Sequence, residues 1–255
     1  MRAFEAEGDP PAAAGEPRWL LIGNSRWHWA APPLAAHGPL RVWHGAGPLA
    51  VESDRLLGWA AVGAVPEDPV LPPEVRLQLA EVPLQATPPW LGIDRALAGW
   101  WAWRLAAGPV LVADAGTVLS FTRVDREGRF AGGRLLAGVA LQLRAMAGGT
   151  AHLPAVDALD WSPQAVPPPP WPHDTTLAMR SGVLRGLAAA IAGAAQEARL
   201  EEPECRLLLT GGDGAVLASL LEPDLAVEQR PHLCLEALAA LRPAGDQPRA
   251  RSLRI

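Results

Sequence analysis

"VLVADAGTVLSF" spans Val110–Phe121. A β-branched, apolar run ends on a carboxylate, Asp114, and Ala-Gly-Thr leads straight into a second strand-like run. Such runs read as two buried strands joined by a tight turn. An Asp at the tip of an otherwise apolar strand calls for a chemical reason.

Working outward, "DREGR" (Asp125–Arg129) reads as a hairpin turn, so 110–136 is expected to be a three-stranded meander. An earlier stretch has the same grammar. "WLLIGNSRWHWA" (Trp19–Ala30) reads as strand, Gly turn with a hydroxyl, strand, and "LRVWHGA" as a third strand. The two stretches lie about ninety residues apart. A duplicated unit of this kind implies two similar lobes with a cleft between them. "AAVGAVP" (Ala60–Pro66) reads as a short buried strand, and "PPEVRLQLAE" as a helix entered through Pro. "IDRALAGWWAWRLAAG" reads as a helix capped by Asp94 and stopped at Gly108. "VALQLRAMAGG" and the stretch from Thr175, capped by Asp174 or Thr175, are further helices. "WSPQAVPPPPWPHD" between them is too Pro-rich for regular structure. "RLLLTGGDGAVLASLL" reads as buried strand, Gly turn, helix. Residues 1–17 and 243–255 read as loose polar tails, leaving lobes at 18–108 and 109–242.

The bulk composition removes several classes of function. With 255 residues, 49% of them apolar, the chain can bury a substantial core, and its net charge of −5 gives no basic footprint for nucleic acid. Lys is absent and every basic side chain is Arg, which closes the G-x-x-x-x-G-K-[ST] route to nucleotide phosphates. Cys205 and Cys234 form no zinc pattern or disulfide framework, and the six His show no ligand spacing. The N-terminus lacks the pattern of a signal peptide. No apolar run reads as a membrane span, so a cytoplasmic protein is expected.

If phosphates bind here, backbone N–H groups, hydroxyls, Arg and cations must hold them. The turns at Asn24-Ser25 and Gly116-Thr117 offer these groups, although each alone is also an ordinary hairpin. "LLLTGGD" (Leu207–Asp213) is a Gly turn where a strand gives way to a helix, a common nucleotide position and also a plain connection. "GIDR" (Gly92–Arg95) sets an acid beside a base at a helix start. It reads either as an N-cap with a solvated Arg, or as a proton acceptor beside an anion-binding cation.

The ordered set "IGNSR", "GIDRALAG", "DAGT", "GGRLLAG", "TTLAMRSG" and "LLLTGGD" resembles type III pantothenate kinase, of the actin-like ATPase superfamily. The resemblance runs from about Trp19 to about Leu241. It implies an α/β fold of two RNase H-like lobes, from a duplicated βββαβα unit, with a nucleotide cleft between them. It also implies transfer of the ATP γ-phosphoryl group to pantothenate, the opening step of coenzyme A synthesis. Carried over by position, Gly23, Asn24, Ser25 and Arg26 face ATP phosphates, Thr117 contacts ATP, and Gly211 and Gly212 lie near the adenosine. Gly92, Ile93, Asp94 and Arg95 touch pantothenate, with Asp94 the catalytic base and Arg95 on the carboxylate; Thr175 contacts pantothenate too. Asp114 binds a monovalent cation, potassium or ammonium, which would explain its place at a strand tip. ATP, Mg²⁺ and that cation are the implied cofactors, and pantothenate, ATP and a second copy of the chain the implied partners, with no nucleic acid or membrane.

The chain departs from the family pattern at Leu21, where the first loop usually carries Asp, and at Ala137, where Pro is usual. The Tyr often found before GxDR is also missing; Trp90 is a candidate pocket wall, core or interface residue. The loss at Leu21 leaves a second reading open, a weakened or inactive relative serving as a nucleotide-binding regulator. A sugar kinase of the same superfamily is a third, against which the Asp94-Arg95 pair favours an anionic substrate.

Overall fold

The computed structural model describes residues 7–8, 15–35, 38–45, 55–65, 67, 71–156 and 166–244. Most of the expected tails, and 162–165 of the Pro-rich loop, lie outside the described residues. The chain forms two compact units. One comprises Met1–Pro83, Pro89–Leu97 and Cys234–Ile255; the other comprises Leu84–Pro88 and Ala98–Leu233.

The first unit is built on a five-stranded sheet of β1 (Glu7–Gly8), β2 (Arg18–Ile22), β3 (Trp27–Ala31), β4 (Arg41–Gly45) and β5 (Leu56–Ala61), in the order β1-β4-β3-β2-β5. β2 is antiparallel to β3 and parallel to β5. It is buried along its whole length, so it shows no polar alternation. Trp residues fill much of the core. Trp29 and Trp43 are paired in register and stack at 6.2 Å with 2° between planes. Such cross-strand aromatic pairs lock the sheet register. Trp59 donates its indole N–H to the Pro72 carbonyl at 2.7 Å, and Arg76 lies 4.8 Å over its ring.

The helix expected over "PPEVRLQLAE" does not form. Two 3₁₀ turns, Pro73–Val75 and Leu79–Glu81, flank a parallel bridge from Arg76 to Trp59. Leu77 N–H donates to the Trp59 carbonyl at 2.7 Å, so pairing with the sheet edge has replaced helical bonding. The strand expected over Ala60–Pro66 lies earlier, at Leu56–Ala61, because after Ala61 the chain folds back onto the first turn.

The second unit repeats the plan. Its sheet holds β6 (Val110–Ala115), β7 (Val118–Val124), β8 (Phe130–Ala137), β9 (Arg206–Thr210) and β10 (Val227–Gln229), in the order β10-β9-β6-β7-β8. As β2 does in the first unit, β6 pairs antiparallel with the next strand on one side and parallel with a later strand on the other. β10 extends β9 in parallel, just as the Arg76 bridge extends β5. The fold is thus α/β with two mixed sheets of the same internal order.

The helices are α1 (Ile93–Ala106), α2 (Val139–Gly149), α3 (Thr175–Glu201), α4 (Gly214–Ala218) and α5 (Leu233–Leu241). α1 ends at Ala106, ahead of the expected Gly108. Ala107 takes the left-handed conformation (φ 51°) and its N–H closes on the Trp103 carbonyl at 2.9 Å. α3 is capped by Asp174, whose carboxylate accepts the Leu177 N–H at 2.9 Å. By length and composition α3 could cross a membrane, but Leu184, Leu187 and Ile191 are fully buried in the core of the second unit. β10 and α5 are seen only in the structure.

Replacing Leu187 by Ala is expected to cost about 2–5 kcal/mol. Replacing Leu200, which is 84% exposed on the same helix, should change stability by less than about 0.5 kcal/mol. Urea unfolding midpoints check both.

Candidate active site

Two sets of expected residues lie in the first unit. The turn after β2 places Asn24, Ser25 and Arg26 in solvent and half-buries Gly23. Its backbone closes through Gly23 N–H to the Arg26 carbonyl at 2.9 Å. The chain after β5 packs against this turn. Val62 N–H donates to the Ile22 carbonyl at 2.9 Å, and a Cβ on Gly63 would stand 2.6 Å from the Gly23 carbonyl oxygen. Glycine is required at 63 by that approach. The two-strand motif gave no hint of it.

The GIDR segment opens α1. Asp94 is the second helical residue, not the cap that the sequence suggested. The Gly92 carbonyl already accepts the first helical bond, from Ala96 N–H at 3.1 Å, and the Asp94 carboxylate folds back to accept its neighbour Arg95's N–H at 2.8 Å. A Cβ on residue 92 would lie 2.5 Å from Asp94 Oδ1, so the glycine makes room for the carboxylate. Burial pushes the Asp94 carboxyl above the ordinary aspartate range, against the opposing pull of the Arg95 N–H and guanidinium. Burial likewise lowers Arg95, while the Asp94 charge raises it. Desolvation outweighs the attraction for both partners. A cavity of about 260 Å³ opens beside Gly92 and Ile93, lined also by Val62, Arg76, Gln78 and Leu91. Trp90, four residues before Asp94, is 71% exposed and is not a core residue.

In the second unit the structure brings Asp114 and the "TGGD" turn together. Asp114 is next to last in β6, half-buried, and paired in register with Thr210 at the end of β9. Gly211 takes the left-handed conformation (φ +90°). A Cβ there would lie 2.5 Å from the Ala115 carbonyl oxygen and 2.6 Å from Asp114 Oδ1. The glycine therefore lets the turn pack against a carboxylate and a carbonyl oxygen, the latter accepting the Asp213 N–H at 3.0 Å; oxygen donors of this kind suit a hard cation. The Gly116-Thr117 turn is held by the Thr117 carbonyl, which accepts the Gly138 N–H at 3.0 Å. Gly212 is exposed, with nothing within 4 Å of a Cβ placed there. Thr175, the first residue of α3, is exposed.

The donor set for magnesium is less complete. Leu21, where a carboxylate would be expected, is 7% exposed and apolar, and no acidic side chain belongs to the Gly23–Arg26 turn. The first turn therefore does not fit a carboxylate-bound Mg²⁺. Of the two thiols, burial pushes Cys205 up to about 11, so it stays a neutral thiol at pH 7. Cys234 donates to the Asp94 carbonyl at 3.5 Å.

A sequence profile described as type III pantothenate kinase matches residues 72–197. A type III pantothenate kinase from Synechococcus elongatus is 41% identical over 246 residues, covering 88% of this chain and 96% of the relative. One from Gloeobacter violaceus is 36% identical over 239 residues, covering 89% of this chain and all of the relative. Among solved structures, ethanolamine utilization protein EutJ from Carboxydothermus hydrogenoformans aligns with a TM-score of 0.48 at 13% identity, over 92% of this chain and 93% of its own. A putative 2-dehydro-3-deoxygalactonokinase from Sinorhizobium meliloti aligns with a TM-score of 0.46 at 15% identity, over 94% and 99%.

Two stability outcomes follow from the geometry. Gly211→Ala should cost at least about 2 kcal/mol, from left-handed strain and overlap with two oxygens, whereas Gly212→Ala should change little; urea unfolding separates them. Asp94→Asn should raise the melting temperature at pH 7. A carboxyl whose folded pKa lies above its unfolded value is favoured neutral by folding, so its ionised form costs stability. That cost fades as pH falls through the folded pKa and vanishes below the unfolded one. Melting curves of both proteins should therefore converge in acid.

Proposed function

The chain belongs to the type III pantothenate kinase family, and on that premise we propose that it transfers the γ-phosphoryl group of ATP to the 4′-hydroxyl of pantothenate. The product, 4′-phosphopantothenate, enters coenzyme A synthesis. The observation that carries this reading is the Asp94 carboxylate, half-buried at the head of α1 and held above its ordinary pKa by desolvation. A raised carboxylate is a stronger base, suited to taking the proton of an alcohol as it attacks phosphorus.

Each group then has one task. Asp94 accepts the hydroxyl proton while the new O–P bond forms and the bond to the ADP oxygen breaks. Arg95 binds the pantothenate carboxylate, and the backbone of Gly92 and Ile93 walls the cavity in which the substrate lies. Thr175 contributes a hydroxyl to pantothenate. Gly23, Asn24, Ser25 and Arg26 hold ATP phosphate oxygens through backbone N–H groups, a hydroxyl and a guanidinium. Thr117 also contacts ATP, and Gly211 and Gly212 lie along the adenosine. Asp114, with the Ala115 carbonyl beside it, holds potassium or ammonium, whose charge offsets that of the phosphates. Phosphoryl transfer needs mainly positioning and charge neutralisation, which these groups supply. Mg²⁺ enters with the ATP phosphates.

The retained Asp94-Arg95 pair favours an active kinase over a regulatory relative, since nucleotide binding alone has no use for a buried base. We place the protein in the cytoplasm, as a homodimer. Exposed apolar side chains of the second unit support this reading: Trp171 at 89%, Val166 at 88% and Leu135 at 63%.

ATP-dependent phosphorylation of pantothenate by the purified chain tests the reaction. Asp94→Asn should lower kcat by roughly 10²–10⁴-fold, and turnover should be higher in K⁺ than in Na⁺. Product formation unchanged in Asp94→Asn would remove the base assignment. Sedimentation at micromolar concentration should give twice the chain mass.

A further inference from the structure

A pair of imidazoles stands beside the turn that lacks a carboxylate. Leu21 pairs across β2–β3 with His28, and His28 pairs across β3–β4 with His44. Directly opposed residues share one face of a sheet, so the three side chains form a single row. The imidazoles meet edge to face with centroids 4.9 Å apart, and their Nδ1 atoms are separated by 2.9 Å. A hydrogen bond between two Nδ1 atoms requires one to carry a proton and the other to be bare. At least one ring is therefore neutral.

This tautomeric constraint reaches the turn. When His44 Nδ1 donates, neutral His28 must carry its own proton on Nε2. When His28 Nδ1 donates, the neutral ring leaves Nε2 bare, so it is the first arrangement that puts Nε2–H on a ring that cannot swing freely. The Nε2 edge borders the glycine turn. A Cβ on residue 23 would stand 3.1 Å from Nε2 and 3.4 Å from Cδ2 of His28. The same Cβ would stand 2.9 Å from the Arg26 carbonyl oxygen, so glycine at 23 is what lets the turn close against the Nε2 edge of His28.

We propose that His28, oriented by His44, presents its Nε2–H to a phosphate oxygen of the nucleotide at the Gly23–Arg26 turn. It supplies directly a hydrogen-bond donor at the turn where a carboxylate at position 21 would otherwise act through a metal ion. His28 touches the substrate; His44 is a positioning residue. The inference rests on the kinase reading for its nucleotide, though not for its readout.

The test uses the full chain labelled with ¹⁵N-histidine. The His28 ring signals are assigned by their loss in His28→Gln. Saturating ATP should shift the His28 Nε2 resonance. His28→Gln should raise the KM for ATP roughly tenfold or more while leaving that for pantothenate unchanged. His44→Phe, which keeps a ring but removes the Nδ1 partner, should raise the ATP KM in the same direction. An unshifted His28 at saturating ATP, or an unchanged ATP KM in His28→Gln, overturns the proposal. Should His28→Gln fail to fold, His28→Asn supplies the assignment and the wild-type spectrum then decides. A wild type that does not phosphorylate pantothenate, yet shifts His28 with ATP, sinks the kinase reading and leaves this assignment standing.

Discussion

Residue 63 in the first unit and residue 211 in the second can carry no side chain. A Cβ would lie 2.6 Å from the Gly23 carbonyl oxygen in one case and 2.5 Å from the Ala115 carbonyl oxygen in the other. Both glycines follow the strand that runs parallel to the opening strand of their sheet, β5 beside β2 and β9 beside β6. Parallel neighbours end at the same edge, so the chain leaving one strand must pass close over the tip of the other. The candidate phosphate turn and the candidate cation gap are both products of that crowding. Backbone N–H and C=O groups converge there because no side chain keeps them apart.

The GIDR segment meets a different constraint. The Asp94 carboxylate is half-buried beside a guanidinium, and the loss of solvent outweighs the attraction between them. A protein optimised for stability alone would place a neutral side chain there. The same desolvation that costs stability raises the proton affinity of the carboxylate. Gly92 makes this possible by leaving space for Oδ1 where a Cβ would otherwise be.

Much of the fold was legible. The meander over 110–136, α2, α3 and the strand-turn-helix from Arg206 appear where apolar periodicity and turn residues put them. Errors fell where tertiary pairing overrode local propensity. "PPEVRLQLAE" has helical composition, yet an open sheet edge at Trp59 captured Arg76 and Leu77. Asp94 has the composition of a cap, yet Gly92 took the start of the helix. The six His gave no ligand spacing in sequence. His28 and His44 became neighbours only through the β3–β4 register, which brings together residues sixteen positions apart.

The sequence by itself determined the repeated strand-turn-strand grammar, the three helices α1 to α3, and the residue types available to hold phosphate in a chain without Lys. These follow from local rules of periodicity and turn chemistry that act over a few residues. Only the tertiary structure decided that Asp114 lies against Gly211, that desolvation lifts the Asp94 carboxyl above its ordinary range, and that His28 meets His44. Those three facts depend on distances between segments far apart in the chain. Strand pairing and burial set such distances, and no local pattern encodes them.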